Sequence, residues 1–243
     1  AVLQPSEALH KKAVLVERGS FRPVTHVNVD MLQAALEKFT ADPAVAGKAV
    51  LPLMEITMHN LLAATAEVDR RDFLARADLL SACGFTVLIS DFSEYYRLAA
   101  YLAWRTKERV GIVMGAASLI ELFDEKYYTA LPGGILESFG RLFKNELKVF
   151  VYPLRPSESA PMTTVETLEV APELRKLYGY LADRGSFMQL HNIKSEYLHI
   201  FSRDVLKRIA AHDASWEQMV PAEVAEMIKK RGFFGYAKGK GES

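Results

Sequence analysis

The sequence has little that would tie it to a membrane, a nucleic acid or an oxidising compartment. Its 243 residues include one cysteine, Cys83, so no disulfide can form within the chain, and a cytoplasmic location is expected. It has 30 basic and 30 acidic residues, and this balance gives no overall electrostatic footprint for nucleic acid. No stretch approaches eighteen uncharged apolar residues, so no membrane span is expected. These absences favour an ordinary globular protein.

Several catalytic signatures are also missing. The chain has no G-x-x-x-x-G-K-[ST] sequence, which excludes a P-loop ATPase. It has no G-x-S-x-G sequence, which excludes the usual nucleophile elbow of hydrolases. His59, His191, His199 and His212 show no metal-ligand spacing with cysteine or carboxylates, so no zinc site and no metal-binding residue is expected.

Apolar runs alternate with helical patterns along most of the chain. The runs predict strands at 13–16, 49–54, 86–90, 110–114, 147–152 and 186–190. Between them apolar residues recur at helical spacing, including a long pattern that starts at Glu55 and stops at Gly84. This alternation predicts an α/β protein with a Rossmann-like parallel sheet covered by helices on both faces. Ligands of such sheets bind beyond the carboxyl ends of the strands.

The chain shows no internal repeat and no clear linker. We therefore expect a single domain over residues 13–236, preceded by an N-terminal extension, 1–12, and followed by a flexible tail, 237–243. The first residues include neither an initiator methionine nor a signal-peptide pattern, and we expect either that the chain is part of a longer polypeptide or that a tag was removed from it. The apolar, aromatic helix from Tyr95 to Trp104 offers a possible interface for a homo-oligomer.

A strand, a glycine turn and the start of a helix follow one another within residues 13–32. The run AVLV predicts a buried strand, and Gly19, Ser20 and Phe21 follow it as a turn. Apolar residues at helical spacing resume at Val27. Such a segment directs backbone N–H groups and the positive end of a helix dipole at one place, which suits a phosphate.

This turn resembles the GSF-x-P-x-T/H-x-x-H signature of nicotinamide or nicotinate mononucleotide adenylyltransferases, which belong to the nucleotidyltransferases. The segment GSFRPVTHVN agrees with that signature at Gly19, Ser20, Phe21, Pro23 and Thr25. Asn28 occupies the position of the second motif histidine.

Two later segments extend the resemblance. The sequence VGIVMGAASLIELF is similar to the family's strand-to-helix element ending in GADSL; it keeps Gly115 but has Ala117 in place of the aspartate. Residues 200–236 resemble ISSTxIRxRI followed by LVPxxVxxYIxxxGLY. In that segment Arg203 replaces the motif threonine, and Leu206 stands where the motif arginine binds phosphate.

The resemblance implies a fold of the nucleotidyltransferase type and a role in NAD biosynthesis. It implies transfer of AMP from ATP, with Mg²⁺, to the phosphate of a mononucleotide, so that small-molecule nucleotides are the expected partners. The implied catalytic residues are Thr25, His26, Asn28 and Arg203. The implied nucleotide-binding residues are Gly19, Ser20, Phe21, Gly115, Ala117, Ser202 and Lys207.

Two interpretations remain open because the departures fall on residues with chemical roles. In the first, the chain is an adenylyltransferase-like enzyme in which Arg203 or Lys207 restores the positive charge lost at Asn28 and Leu206. In the second, it is a catalytically degenerate nucleotide-binding or regulatory module of the same fold. A different α/β enzyme whose motifs match by chance is a third alternative.

Overall fold

The computed structural model of the chain describes residues 3–58, 70–157 and 159–237. Its strands are β1 Ala13–Arg18, β2 Val50–Thr57, β3 Thr86–Ser90, β4 Val110–Gly115, β5 Lys148–Tyr152 and β6 Phe187–Gln189. They form one six-stranded sheet in the order β3-β2-β1-β4-β5-β6. The six predicted strands and the α/β class are therefore confirmed.

The pairings of β4 with β1 and β5, and of β5 with β6, are parallel. The central strands of the sheet are almost wholly buried, as the unbroken apolar runs of their sequences predict. Fully buried side chains of these strands include Val14, Leu15, Val16, Ile112, Val113, Val149 and Val151. The carboxyl end of β1 leads into the predicted phosphate turn at Gly19.

One short helix precedes the first described strand, and the other described helices connect the strands or follow the last of them. The described helices are α1 Pro5–Ala8, α2 His26–Thr40, α3 Arg70–Ala82, α4 Tyr95–Arg105, α5 Ala116–Leu122, α6 Gly134–Leu142, α7 Arg175–Asp183, α8 Ser202–Ala210 and α9 Ala222–Arg231. α9 ends at Gly232, whose φ of 64° is left-handed and whose N–H donates to the carbonyl of Ile228, a common helix stop. Within the described ranges no helix has the length and apolar character needed to cross a bilayer.

The structure corrects the predicted start of the helical pattern after β2. Residues 55–57 complete the strand, so the prediction of helix from Glu55 is wrong there. Residues 59–69 of the same pattern lie outside the described ranges, and α3 accounts for its second half. The strand continues because Glu55 is buried within it, 0% exposed, rather than lying on a solvated helix face.

Backbone contacts divide the chain into two compact units. The first comprises Ala1–Glu17, Met31–Leu53 and Phe92–Ile193, and the second comprises Arg18–Asp30, Met54–Asp91 and Lys194–Ser243. The single domain over residues 13–236 remains a prediction. Residues 238–243 of the predicted tail lie outside the described ranges.

Aromatic packing dominates part of the core of the first unit. The ring of Phe123 meets those of Phe139 and Tyr178 edge to face, with centroids 4.9 and 5.3 Å apart. Tyr178 in turn stacks on Phe187 at 5.4 Å. These distances and angles are the favourable arrangements of aromatic pairs, and they join α6 and α7 to β6.

Candidate functional site

The turn after β1 is shaped by a close contact between Gly19 and Phe21. The N–H of Gly19 donates to the carbonyl of Glu55 at 3.2 Å. Phe21 has a φ of 45° and is 1% exposed. A Cβ atom added at Gly19 would lie 2.8 Å from two carbon atoms of the Phe21 ring. Glycine is therefore required at this position by the buried ring that folds back over it.

A buried ion pair lies directly beneath the turn. Arg18 donates through Nε to Oε2 of Glu55 at 2.5 Å and through Nη2 to Oε1 at 3.1 Å. The hydroxyl of Ser90 also donates to Oε1 of Glu55. The charge of the carboxylate is thus matched by a bidentate guanidinium, an arrangement with defined geometry. It ties together the ends of β1, β2 and β3.

Two further arginines surround the same turn and share one carboxylate. Arg22 donates to Oδ1 of Asp72 at 2.6 Å, and Arg76 donates to Oδ2 of the same residue. Arg76 also donates to the carbonyl of Ser20 at 3.4 Å and is 8% exposed. The turn is therefore held from the side by a guanidinium of α3. Sequence analysis missed both arginines, because Arg22 is at a variable motif position and Arg76 is distant in the chain.

Thr25 and Asn28 form the N-terminal cap of α2. The side-chain oxygen of Asn28 accepts hydrogen bonds from the N–H and the hydroxyl of Thr25, each at 3.0 Å. Asn28 is the third residue of the helix, the position from which a capping box reaches back to the cap residue. The T-x-x-N spacing in the sequence is sufficient to indicate this capping role. Both predicted catalytic residues thus have a structural function at the helix start.

His26, the first residue of α2, stacks on Tyr197. The two ring centroids are 4.9 Å apart, and the planes make an angle of 13°. The ammonium of Lys194 lies 5.4 Å from the centroid of the same tyrosine ring. Burial lowers the pKa of His26 below 6.5, and the charge of Lys194 lowers it further, against a smaller opposing effect of Glu223. These effects favour the neutral form of the imidazole.

The first turn of α8 is fastened to the turn before α2. The hydroxyl of Ser202 donates to the carbonyl of Pro23 at 3.1 Å. Arg203 places its guanidinium 5.1 Å from the ring centroid of Phe201. Lys207 pairs with Asp204 at 3.4 Å, and its side chain is 76% exposed. The structure thus brings Ser202 to the turn, while the observed contacts of Arg203 and Lys207 are local to α8.

Gly115 and Ala117 belong to the first unit. Gly115 is the last residue of β4, and Ala117 lies in the first turn of α5. A Cβ atom added at Gly115 would meet nothing within 4 Å, and its φ is −76°, so neither packing nor backbone conformation requires glycine there. Their predicted contact with a nucleotide remains a prediction, as does that of each residue of the turn.

The described residues offer no cluster of histidine, cysteine or carboxylate side chains that could hold a metal ion. Cys83 is half-buried, and burial together with the negative charge of Glu223 raises its pKa to about 11. Nucleophilic thiols have a lowered pKa instead. Cys83 is therefore no candidate for covalent chemistry.

Comparison with known proteins identifies the fold. No protein-family model matches the chain, and no curated protein sequence matches it. Among solved structures it is similar to the nicotinic acid mononucleotide adenylyltransferase of Plasmodium falciparum, complexed with NaAD, with a TM-score of 0.54 and 10% sequence identity. The similarity covers 94% of this chain and 100% of the other. At this identity it shows the architecture alone: the chain has a Rossmann-like α/β fold of the nucleotidyltransferase type.

Proposed function

We propose that the protein is a nucleotidyltransferase that transfers AMP from ATP to the phosphate of a mononucleotide, with nicotinamide or nicotinate mononucleotide as the first acceptors to test. The Gly19 turn, the start of α2 and the start of α8 would bind the phosphates. The proposal combines the fold with the motif resemblance of the turn.

One observation supports it above the others. The hydrogen bond from Ser202 to the carbonyl of Pro23 fixes the first residue of α8 against the loop that leads into α2. The N-termini of two helices, of nine and fifteen residues, therefore lie at one loop. Helix N-termini present unpaired N–H groups and partial positive charge, which stabilise anions such as phosphates.

The reaction depends on the positioning of the two substrates and does not need a nucleophile from the protein. A phosphate oxygen of the mononucleotide attacks the α-phosphorus of ATP, the bond from that phosphorus to the bridging oxygen breaks, and pyrophosphate leaves. The protein must hold two anions that repel each other and stabilise charge on the transferring group. Helix amides, the side chain of His26 and the amide nitrogen of Asn28 are suited to that task as hydrogen-bond donors.

Mg²⁺ would arrive with ATP rather than occupy a site built by the protein. The described residues hold no cluster of metal ligands, and Mg²⁺ in such enzymes is commonly bound through substrate phosphates and water. The ion would reduce the negative charge on the triphosphate.

A degenerate nucleotide-binding module of the same fold is the second candidate. The observation that favours it is the engagement of Asn28 in the cap of α2, where the resembled family has a histidine. Replacing a donor that can bear a charge with a neutral amide could cost about 2.7–4 kcal/mol of transition-state stabilisation. A module that has lost transfer would still bind nucleotides at the helix N-termini.

The test combines calorimetric binding with an assay of products. The protein is titrated with a non-hydrolysable ATP analogue and Mg²⁺, and then incubated with ATP, Mg²⁺ and either mononucleotide while pyrophosphate and dinucleotide are measured. We expect dinucleotide formation that is lost in His26→Ala and retained in His199→Ala, an exposed histidine of the same unit. Binding without turnover would favour the degenerate module, and absence of binding would contradict both.

A further inference from the structure

We propose that Lys194 and His26, arranged on the ring of Tyr197, bind one phosphate group, and that Lys194 supplies the positive charge that Asn28 and Leu206 do not. This inference rests on the proposed function, since it names the cation of that same site. Lys194 thus takes the place of Arg203 and Lys207 as the proposed source of the positive charge.

The position of Lys194 is fixed relative to α2. Its backbone N–H donates to Oδ2 of Asp30 at 2.9 Å, across 164 residues of sequence, and Asp30 is 6% exposed. Asp30 is one helical turn after His26, so the hydrogen bond holds the lysine backbone beside the first turn of the helix. The lysine side chain is exposed and starts from this fixed point.

The ring of Tyr197 is the shared neighbour of the His26 imidazole and the Lys194 ammonium. One ring contacts both groups, with the stacked imidazole centroid at 4.9 Å and the ammonium nitrogen at 5.4 Å from the ring centroid. An ammonium over an aromatic ring is attracted by the ring quadrupole. The contact therefore orders a long, flexible side chain that would otherwise lose conformational entropy on binding a ligand.

The charges around His26 favour an added anion. Among the residues that the structure describes, the charge of Lys194 disfavours protonation of His26, and the more weakly coupled Glu223 opposes this effect. The positive end of α2 adds to the same local potential. In the described part of the chain Lys194 has no carboxylate partner for its ammonium, whereas Lys207 pairs with Asp204. A phosphate would interact favourably with the ammonium, the imidazole and the helix amides together.

A phosphate fits this arrangement better than a carboxylate. Its several oxygen atoms can accept hydrogen bonds from an ammonium, an imidazole N–H and backbone amides at once, and lysine binds phosphate as a compact point charge. The phosphate could belong to the mononucleotide or to the triphosphate, so the probes must separate a phosphomonoester from a diphosphate.

The experiment follows the pKa of His26 by NMR titration of its ring protons. The probes are inorganic phosphate, AMP and pyrophosphate, and His26→Gln assigns the resonance among the six histidines. In the wild-type protein we expect a saturating probe to raise the pKa of His26, because a bound anion stabilises the imidazolium. A stronger response to AMP would indicate the mononucleotide phosphate, and a stronger response to pyrophosphate the triphosphate.

Three lysine variants distinguish the effect of the Lys194 charge on phosphate binding from an effect of its side-chain packing. In Lys194→Met the pKa of His26 should rise without a probe, since one cause of its depression is removed, and the probe should bind about tenfold or more weakly. Lys194→Arg should retain binding because it keeps the charge. Lys230→Met, which removes an exposed lysine of α9 in the same unit, is the control and should behave as the wild type.

The result that would overturn the inference is distinct from failure of the proposed reaction. If no probe shifts the pKa of His26, or if Lys194→Met binds the probes as tightly as the wild type, the assignment of Lys194 is wrong even if dinucleotide is formed. If the shift occurs and depends on Lys194 but no AMP is transferred, the phosphate site stands and the transferase proposal fails.

Discussion

Arg18 and Glu55 form a bidentate ion pair that is withdrawn from solvent, with side chains 7% and 0% exposed. The pair lies at the ends of β1 and β2 and is completed by the hydroxyl of Ser90. Burying two charges has a large desolvation cost that their attraction offsets only when the geometry is good. The pair therefore fixes the arrangement of the strand ends more than it adds to net stability.

Removing one member of this ion pair should lower the free energy of unfolding far more than removing both members. Glu55→Gln removes the carboxylate charge that pairs with the buried guanidinium of Arg18, and we expect a loss of about 3–5 kcal/mol in the free energy of unfolding. The double variant Arg18→Met, Glu55→Leu should lose clearly less, because it removes both buried charges of the pair together. Urea denaturation followed by circular dichroism measures both. Equal losses in the single and double variants would contradict this account of the pair.

The turn after β1 should be intolerant of a single added methyl group. Gly19→Ala places a Cβ atom 2.8 Å from the ring of Phe21, which is buried, and we expect a cost of about 1–3 kcal/mol. The matched control is Gly179→Ala in α7, where nothing lies within 4 Å of the added atom. That substitution should stabilise by about 0.5–1 kcal/mol through helix propensity. Thermal unfolding of both variants measures these changes in stability. A Gly19→Ala variant that is as stable as the wild type would show that the ring of Phe21 adjusts.

Two substitutions of Asn28 distinguish its effect on stability from its effect on anion binding. Asn28→Ala removes the acceptor for Thr25 and should cost about 1 kcal/mol. Asn28→Asp keeps the acceptor oxygen and adds a negative charge near the start of α2, so stability should be retained or raised. The same charge should weaken binding of inorganic phosphate in calorimetry. If Asn28→Asp binds phosphate as well as the wild type does, the start of α2 is not the anion site.

The alternation of buried strands with helices was predictable because each central strand is an unbroken apolar run. The end of β2 was not, since Glu55 has the local character of a solvated residue. Its burial depends on Arg18, 37 residues earlier, a partner that no window of sequence around Glu55 contains. A local sequence pattern does not predict the burial of a charged residue when the residue that neutralises it lies far away in the chain.

The candidate site was predictable only in part for the same reason. The turn residues Gly19 to Phe21 are contiguous, so motif resemblance identifies them together. Lys194 and Tyr197 belong to no motif that the sequence displays, and only folding places them beside His26. A charge lost at one motif position can be replaced from any segment that reaches the same space, and sequence spacing does not reveal which.

The lowered pKa of His26 predicts how stability depends on pH. Burial and Lys194 make the folded protein bind this proton less readily than the unfolded chain, whose histidine titrates near 6.5. Between the lowered pKa and 6.5 the unfolded state thus binds more protons, and the free energy of unfolding falls as the pH drops through this interval. Above it the contribution of His26 is constant.

Comparison with His26→Gln between about pH 5 and 8 isolates this effect, because the variant lacks the titrating group. Relative to the variant, the wild-type protein should lose stability as the pH falls below 6.5. Lys194→Met should reduce the loss, since it removes one cause of the depressed pKa, whereas Glu223→Gln should increase it by removing the opposing charge. Chemical denaturation at each pH measures all four proteins. A wild-type protein that gains stability relative to His26→Gln on acidification would mean that the folded state favours the imidazolium, contrary to the burial of His26 and to the charge of Lys194.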